Sequence, residues 1–313
     1  GENITIKANS SYIGGIFGYI EIIDIYKANK IENITVIDSD IISNGAQVGG
    51  IIGHGKIGLN FKSIGNNVEG TSYVGGIIGN GKYSSANKNQ LVDSCNVKGT
   101  SWVGGIAGYI NSICYSTVKS TTVEGTSDYT GGIAGRVLNG CYGTSVIGVK
   151  IIGKRYVGGI EGYLKDASCY ENYIIDSNIE GNEYVGGLIG LVVRGETYNN
   201  YVSANIEAIQ YGAGGFVGYV QNQYAAGSNI QNIYSNYIAN SKIEAESQVG
   251  GIIGVIDKEL TSIEQHYNNF VEADLITENQ EAISLGIGNM KNQNQYLQDT
   301  YYYKYSTING ENP

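Results

Sequence analysis

One short pattern, aromatic-Val-Gly-Gly-Ile-x-Gly, returns nine times along the 313 residues, and a chain that repeats itself at a near-constant interval has few folds open to it. Its glycine pairs are Gly14 and Gly15, Gly49 and Gly50, Gly75 and Gly76, Gly104 and Gly105, Gly131 and Gly132, Gly158 and Gly159, Gly186 and Gly187, Gly214 and Gly215, and Gly250 and Gly251. Successive first glycines lie 35, 26, 29, 27, 27, 28, 28 and 36 residues apart, so the unit is 27 to 28 residues with a longer excursion, expected to be a loop, near each end. A unit this short cannot bury an apolar face by itself and must stack on its neighbours.

The residues around the glycines show what stacks. Each pair is followed by Ile16, Ile51, Ile77, Ile106, Ile133, Ile160, Leu188, Phe216 or Ile252, as a ladder of inward side chains requires. Seven or eight residues before the later pairs stand Ile42, Val68, Val97, Val123, Ile151, Ile179, Ile206 and Ile243, marking a second strand. A third segment carries Cys114-Tyr115, Cys141-Tyr142 and Cys169-Tyr170, each cysteine 17 residues before its glycine pair, and continues as Thr197-Tyr198 and Ile233-Tyr234. With 47 glycines and one proline, collagen is excluded, and long helices are disfavoured because interior glycine costs about 1 kcal/mol relative to alanine. The pattern predicts an all-β parallel β-helix, a β-solenoid of nine to ten coils with three short strands in each. The glycine pairs are expected to serve a corner or a close approach between coils, since a residue without Cβ tolerates both positive φ and tight packing. Repeats are expected over residues 1–256. Residues 257–313 should hold a worn final copy (Ser284-Leu285-Gly286-Ile287-Gly288), a cap and a tyrosine-rich tail (Tyr301-Tyr302-Tyr303-Lys304-Tyr305).

The segments Asn139-Gly140-Cys141-Tyr142 and Tyr184-Val185-Gly186-Gly187-Leu188-Ile189-Gly190 resemble the two halves of the GLUG motif, a short tandem repeat of large bacterial surface proteins. The likeness covers residues 12 to about 256. GLUG repeats accompany adhesin-like proteins and the non-catalytic part of secreted zinc metallopeptidases that cleave immunoglobulin A. The resemblance therefore implies a right-handed coil, an extracellular or cell-surface location in a bacterium, and flanking domains of a larger polypeptide. It implies no enzyme here: such peptidases need His-Glu-x-x-His, and the only histidines are His54 and His266. A peptidase domain would lie elsewhere in the parent protein.

Charge narrows the partners. A formal net charge of −10 and a pI near 4.7 oppose nucleic-acid binding, which needs clustered Lys and Arg. No apolar run reaches the roughly 18 residues of a membrane-spanning segment, so no membrane insertion is expected. Gly1-Glu2-Asn3-Ile4 has no basic and apolar leader, so an export signal would lie outside this stretch. The expected partners are a host or bacterial surface protein or a glycan, together with self-association through open coil ends.

Candidate sites are few. The column Tyr12, Tyr73, Trp102, Tyr129, Tyr156 and Tyr184 could bind a sugar or protein, but stacked rings covering the glycines is the simpler expectation. Cys114, Cys141 and Cys169 are expected to form a buried ladder of free thiols one coil apart, since stacked strand positions point their Cβ atoms in parallel. Glu161 is the one charged member of the column Ile78, Ala107, Ala134, Ile189 and Val217. That column is expected to face outward, leaving Glu161 solvated beside an apolar stripe; facing inward, it would need a partner such as Arg136 or Lys165. Asp38, Asp40, Asp93, Asp166 and Asp176 read as turn residues rather than a convergent catalytic set. No cofactor is expected; calcium is conceivable only at Asp38-Ser39-Asp40. The expected function is a non-catalytic spacer or adhesive stalk. The alternatives are a glycan-binding or polysaccharide-cleaving β-helix, and a self-assembling filament or oligomer subunit.

Overall fold

If copies of one unit stack, equivalent residues of successive copies must pair, and they do. The computed structural model describes residues 1–20, 31–56, 58–82, 87–221, 231–257, 266–278, 282–288, 297–298, 301–302 and 306–311. Along the column before the glycine pairs, Ile13, Val48, Val74, Val103, Thr130, Val157, Val185, Ala213, Val249 and Ile283 pair in parallel, one to the next. The chain is an all-β parallel β-solenoid of about eight turns. That is slightly fewer than the nine to ten coils expected, because the terminal copies form only short, partial rungs such as Ile13–Gly14 and Ile283–Ser284.

One coil shows the construction. Thr117–Lys119, Thr122–Gly125, Asp128–Gly131 and Ala134–Tyr142 are its first to fourth strands. The coil thus has four strands where the sequence pattern suggests three. The strand missed is the first, which contributes a single inward residue per coil (Val92, Val118, Val146, Ile174, Val202) and so has no periodicity of its own. Further along, the first three strands merge into continuous bent strands, Tyr173–Gly186, Tyr201–Gly214 and Tyr237–Gly250.

The second-strand column is Ile41, Val68, Val97, Val123, Ile151, Ile179, Ile206, Ile243 and Leu275. Ile41 takes the place expected for Ile42, because seven residues separate Ile41 from Val48 where six separate Val68 from Val74. The core is one continuous file of these aliphatic side chains, nearly all without solvent contact.

Stacking continues past residue 256. Phe270–Ile276 pairs with the preceding coil, and Tyr301–Tyr302 and Thr307–Ile308 pair with it in turn, so part of the expected tail is a further rung. Tyr303, Lys304 and Tyr305 lie outside the described residues, as do 21–30 and 222–230, where the two long excursions were expected. Among the described residues no helix is long and apolar enough to cross a membrane.

Candidate functional site

The third and fourth strands meet at a sharp edge where backbone touches backbone. The first glycine of each pair ends the third strand. A Cβ on Gly158 would lie 2.1 Å from the Glu161 carbonyl oxygen and 2.7 Å from that of Leu188 in the next coil; one on Gly162 would lie 2.6 Å from the Tyr129 backbone. The second glycine stands in the bend between the strands and faces its own kind. A Cβ on Gly15, Gly50, Gly76, Gly105, Gly132, Gly159, Gly187 or Gly215 would lie 2.0–2.4 Å from the carbonyl oxygen of the next glycine in that file, and one on Gly251 would lie 2.2 Å from that of Leu285. Close approach is therefore what both glycines serve. The other property expected of them, tolerance of positive φ at the corner, is not used: no glycine of the nine pairs has a positive φ. The left-handed turn falls two residues before each pair, on Tyr12, Gln47, Tyr73, Trp102, Tyr129, Tyr156, Tyr184, Gly212 and Gln248, with φ from 54° to 85°. For a residue with a Cβ this conformation costs about 1 kcal/mol or more.

Ring packing offsets that cost. Tyr73, Trp102, Tyr129, Tyr156 and Tyr184 stack in succession at 6.2, 4.2, 5.3 and 5.3 Å between centroids, each contact contributing about 0.5–1.5 kcal/mol. Tyr109, Tyr163 and Tyr219 from the fourth strands pack onto this stack across the glycine edge. Tyr163 and Tyr219, with Leu191 and Val193, close a second apolar cluster outside the main core. Arg136 lies over Tyr163 at 4.9 Å, and Arg155 lies over Tyr156 at 4.9 Å while bonding Asp128 at 2.6 Å. Burial raises the phenol pKa of Tyr129 and Tyr156 and lifts Tyr219 to about 12. The ring faces of this column are engaged with one another rather than offered to a ligand. Tyr12 stands apart: Gln47 interrupts the column, and Tyr12, 44 % exposed, meets Tyr19 and His54 edge-on.

Glu161 faces inward, contrary to the outward expectation. Its column, Ile52, Ile78, Ala107, Ala134, Glu161, Ile189, Val217 and Ile253, is 0 % exposed throughout, so the expected surface stripe is core. The reason is the corner: the chain bends at Gly159 and Ile160, and Ile160 and Glu161 point in consecutively, which breaks the alternation of a straight strand. Neither carboxyl oxygen meets a donor in hydrogen-bonding geometry. Burial pushes its pKa to about 8, against the weaker pull of the nearby Val137 amide and the Arg136 charge. Arg136 sits on the outer side over the rings, so the expected ion pair is absent.

The cysteine column also differs from expectation. Cys141 pairs with Cys169, but Cys114 pairs with Tyr142, and Ile113 occupies the core position beneath Cys141. The 17-residue spacing misleads because seven residues separate Val123 from Thr130 while six separate Ile151 from Val157. All four cysteines are free and buried. Among the described residues no group of three or more His, Cys, Asp or Glu is placed to hold a metal; Asp38 sits in a left-handed corner conformation.

Two features mark the opposite corner; the sequence reading had the tyrosines at 142, 170, 198 and 234 as a repeated segment but neither their stacking nor the asparagines beside them. Asn172, Asn200, Asn236 and Asn269 form a buried ladder, the backbone N–H of each of the first three donating to the next Oδ1 at 3.0–3.2 Å. Each Nδ2 donates to a carbonyl of the preceding coil. Just before them, Tyr142, Tyr170, Tyr198, Tyr234 and Tyr267 stack face to face at 4.9–5.0 Å, and just after them Tyr201, Tyr237 and Phe270 stack at 5.7 and 4.6 Å. The signal was present as Tyr-x-Asn at residues 170–172, 198–200, 234–236 and 267–269.

No family model and no curated protein matches the chain. Two solved structures are similar in fold. One, from Bacteroides ovatus and provisionally named an immunoglobulin A1 protease, is 13 % identical with a TM-score of 0.49, over 84 % of this chain and 77 % of that one. The other is a tailspike protein of E. coli bacteriophage HK620 in complex with a pentasaccharide, 13 % identical with a TM-score of 0.39; the match covers 92 % of this chain and half of the tailspike.

Proposed function

We propose that the chain is a non-catalytic, extracellular structural and interaction module, a rigid spacer or adhesive stalk of a bacterial surface or secreted protein. The observation that supports this reading is the unbroken register from Ile13 to Ile283, with ten strands stacked in one column. At the usual strand spacing of about 4.8 Å they span roughly 45 Å. Such a rod fixes the distance between whatever adjoins its ends and presents each outward position once per coil, which favours multivalent contact. Its partners would be flanking domains and a surface protein or glycan.

A glycan array together with a reducing-sugar assay, run with and without calcium, tests the proposal. The expected result is no turnover in either condition; sugar release would overturn it. A second reading, glycan binding without cleavage, is favoured by Tyr173, 48 % exposed and in strand register with Tyr201, the first ring of the stack that runs on to Tyr237 and Phe270. Array signals lost in Tyr173→Ala would select that reading.

A further inference from the structure

A carboxyl buried in a file of aliphatic side chains does nothing for a passive rod that Leu or Val would not do better. Glu161 is wholly enclosed, stacked between Ala134 and Ile189, with neither oxygen hydrogen-bonded. The titratable and charged groups close enough to feel it are Cys141 of the preceding coil, Cys169 at the far end of its own strand, and Arg136 on the outer side of the sheet. Both thiols are raised in pKa by burial first and by the proximity of Glu161 second. Nothing in that set neutralises a carboxylate by direct contact.

We propose that Glu161 makes its coil a pH-sensitive joint of the rod, closed while the carboxyl is protonated and opening locally as it ionises, so that Cys141 and Cys169 become accessible while distant coils stay shut. The energetics follow from linkage. Closed, the carboxyl titrates near 8; in an opened coil it returns to about 4.5. A group whose pKa is raised on closing gives its full stability below the lower value and loses it as pH rises to the upper one. The opening constant therefore climbs about tenfold per pH unit across that window, roughly three-thousandfold in all, and then levels off.

The test is alkylation by iodoacetamide of the unmodified protein between pH 5.5 and 7.5, with each cysteine followed by peptide mass spectrometry. In an opened coil the thiolate fraction alone makes the rate rise about tenfold per pH unit, because a free thiol titrates near 8.5. Cys141 and Cys169 carry the opening term as well and are expected to rise about a hundredfold per unit. Cys95, two coils away and buried against Ser63, should rise only tenfold. Glu161→Gln should bring Cys141 and Cys169 down to the slope of Cys95.

A tenfold slope at Cys141 and Cys169 in the unmodified protein, or a hundredfold slope that survives Glu161→Gln, overturns the proposal. A hundredfold slope at Cys95 too means the rod opens as one body, and overturns the local joint. Should the variant not fold, amide exchange in the unmodified protein supplies the same comparison, Val137 and Leu164 being expected to steepen with pH beyond Val202 and Ile206.

Discussion

The glycine edge and the asparagine corner turn the same chain by opposite means. At the edge, side chains are removed and two strands approach until a single Cβ would overlap backbone at 2.1 Å. At the corner, side chains are supplied: Asn172, Asn200, Asn236 and Asn269 take up the N–H and C=O groups that the bend frees from the strand ladders. The first solution admits one residue type. The second is a requirement for an oxygen in the right place, and earlier coils meet it with Ser116 and Gln90. The edge is therefore periodic in sequence along nearly the whole chain, whereas the corner drifts.

The difference is sharpest under substitution. Gly158→Ala places a methyl group against the carbonyls of Glu161 and Leu188, which only backbone movement in two coils can relieve. We expect a loss of about 4 kcal/mol or more, read as a urea midpoint far below the parent's or as failure to fold. Gly148→Ala is the control: nothing lies within 4 Å, and only its φ of 60° resists a side chain. It should cost about 1 kcal/mol. Equal losses from the two variants would deny that close approach is what the edge demands.

Asn200→Ala comes next. It strips the acceptor from the Asn172 N–H and side-chain amide and the donor from the Cys169 carbonyl, all buried. Each orphaned group costs about 1–3 kcal/mol, and partial relaxation should leave a net loss of about 2–4 kcal/mol in urea unfolding. Asn200→Ser, which supplies a hydroxyl oxygen such as Ser116 offers to the Gln90 N–H in an earlier coil, is expected to recover part of it. If serine is no better than alanine, the corner is as exacting as the edge and the contrast fails.

This contrast also explains what could be read in advance. The coil period was legible because the edge accepts only glycine, and Val48, Val74 and Val103 then fall in register by counting. Facing at Glu161 was not, because alternation fails where Ile160 and Glu161 turn the corner together. The place of Cys114 was hidden by a compensation: one extra residue between Val123 and Thr130 is offset upstream, so a constant spacing of 17 conceals a shift of one. The aromatic column was visible as a column, but its left-handed backbone and its packing against Tyr163 and Tyr219 depend on a strand that arrives a coil later. Local spacing reports what one position needs; it does not report what a neighbouring coil lays across it.

Outside both turns the rod should be tolerant, in graded fashion. Tyr198→Leu keeps an apolar body in the stack that runs from Tyr142 to Tyr267 but removes two face-to-face contacts, with Tyr170 and Tyr234, and should cost about 1–2 kcal/mol. The smallest effect is expected at the ion pair between Lys98 and Glu124, 2.9 Å apart on adjacent coils and largely open to solvent. Lys98 has its pKa raised by the bond to Glu124, yet water screens the pair and two long side chains must be held still to form it, so Lys98→Met should change stability by at most about 0.5 kcal/mol. Unfolding of both proteins at about 0.1 M and 1 M salt checks this, because any advantage of the parent should vanish as the screening length falls from about 10 Å to 3 Å. A loss above about 1.5 kcal/mol that persists in high salt would mean that the lysine stem, stacked between Glu69 and Glu124, stabilises the rod by covering its surface rather than by its charge.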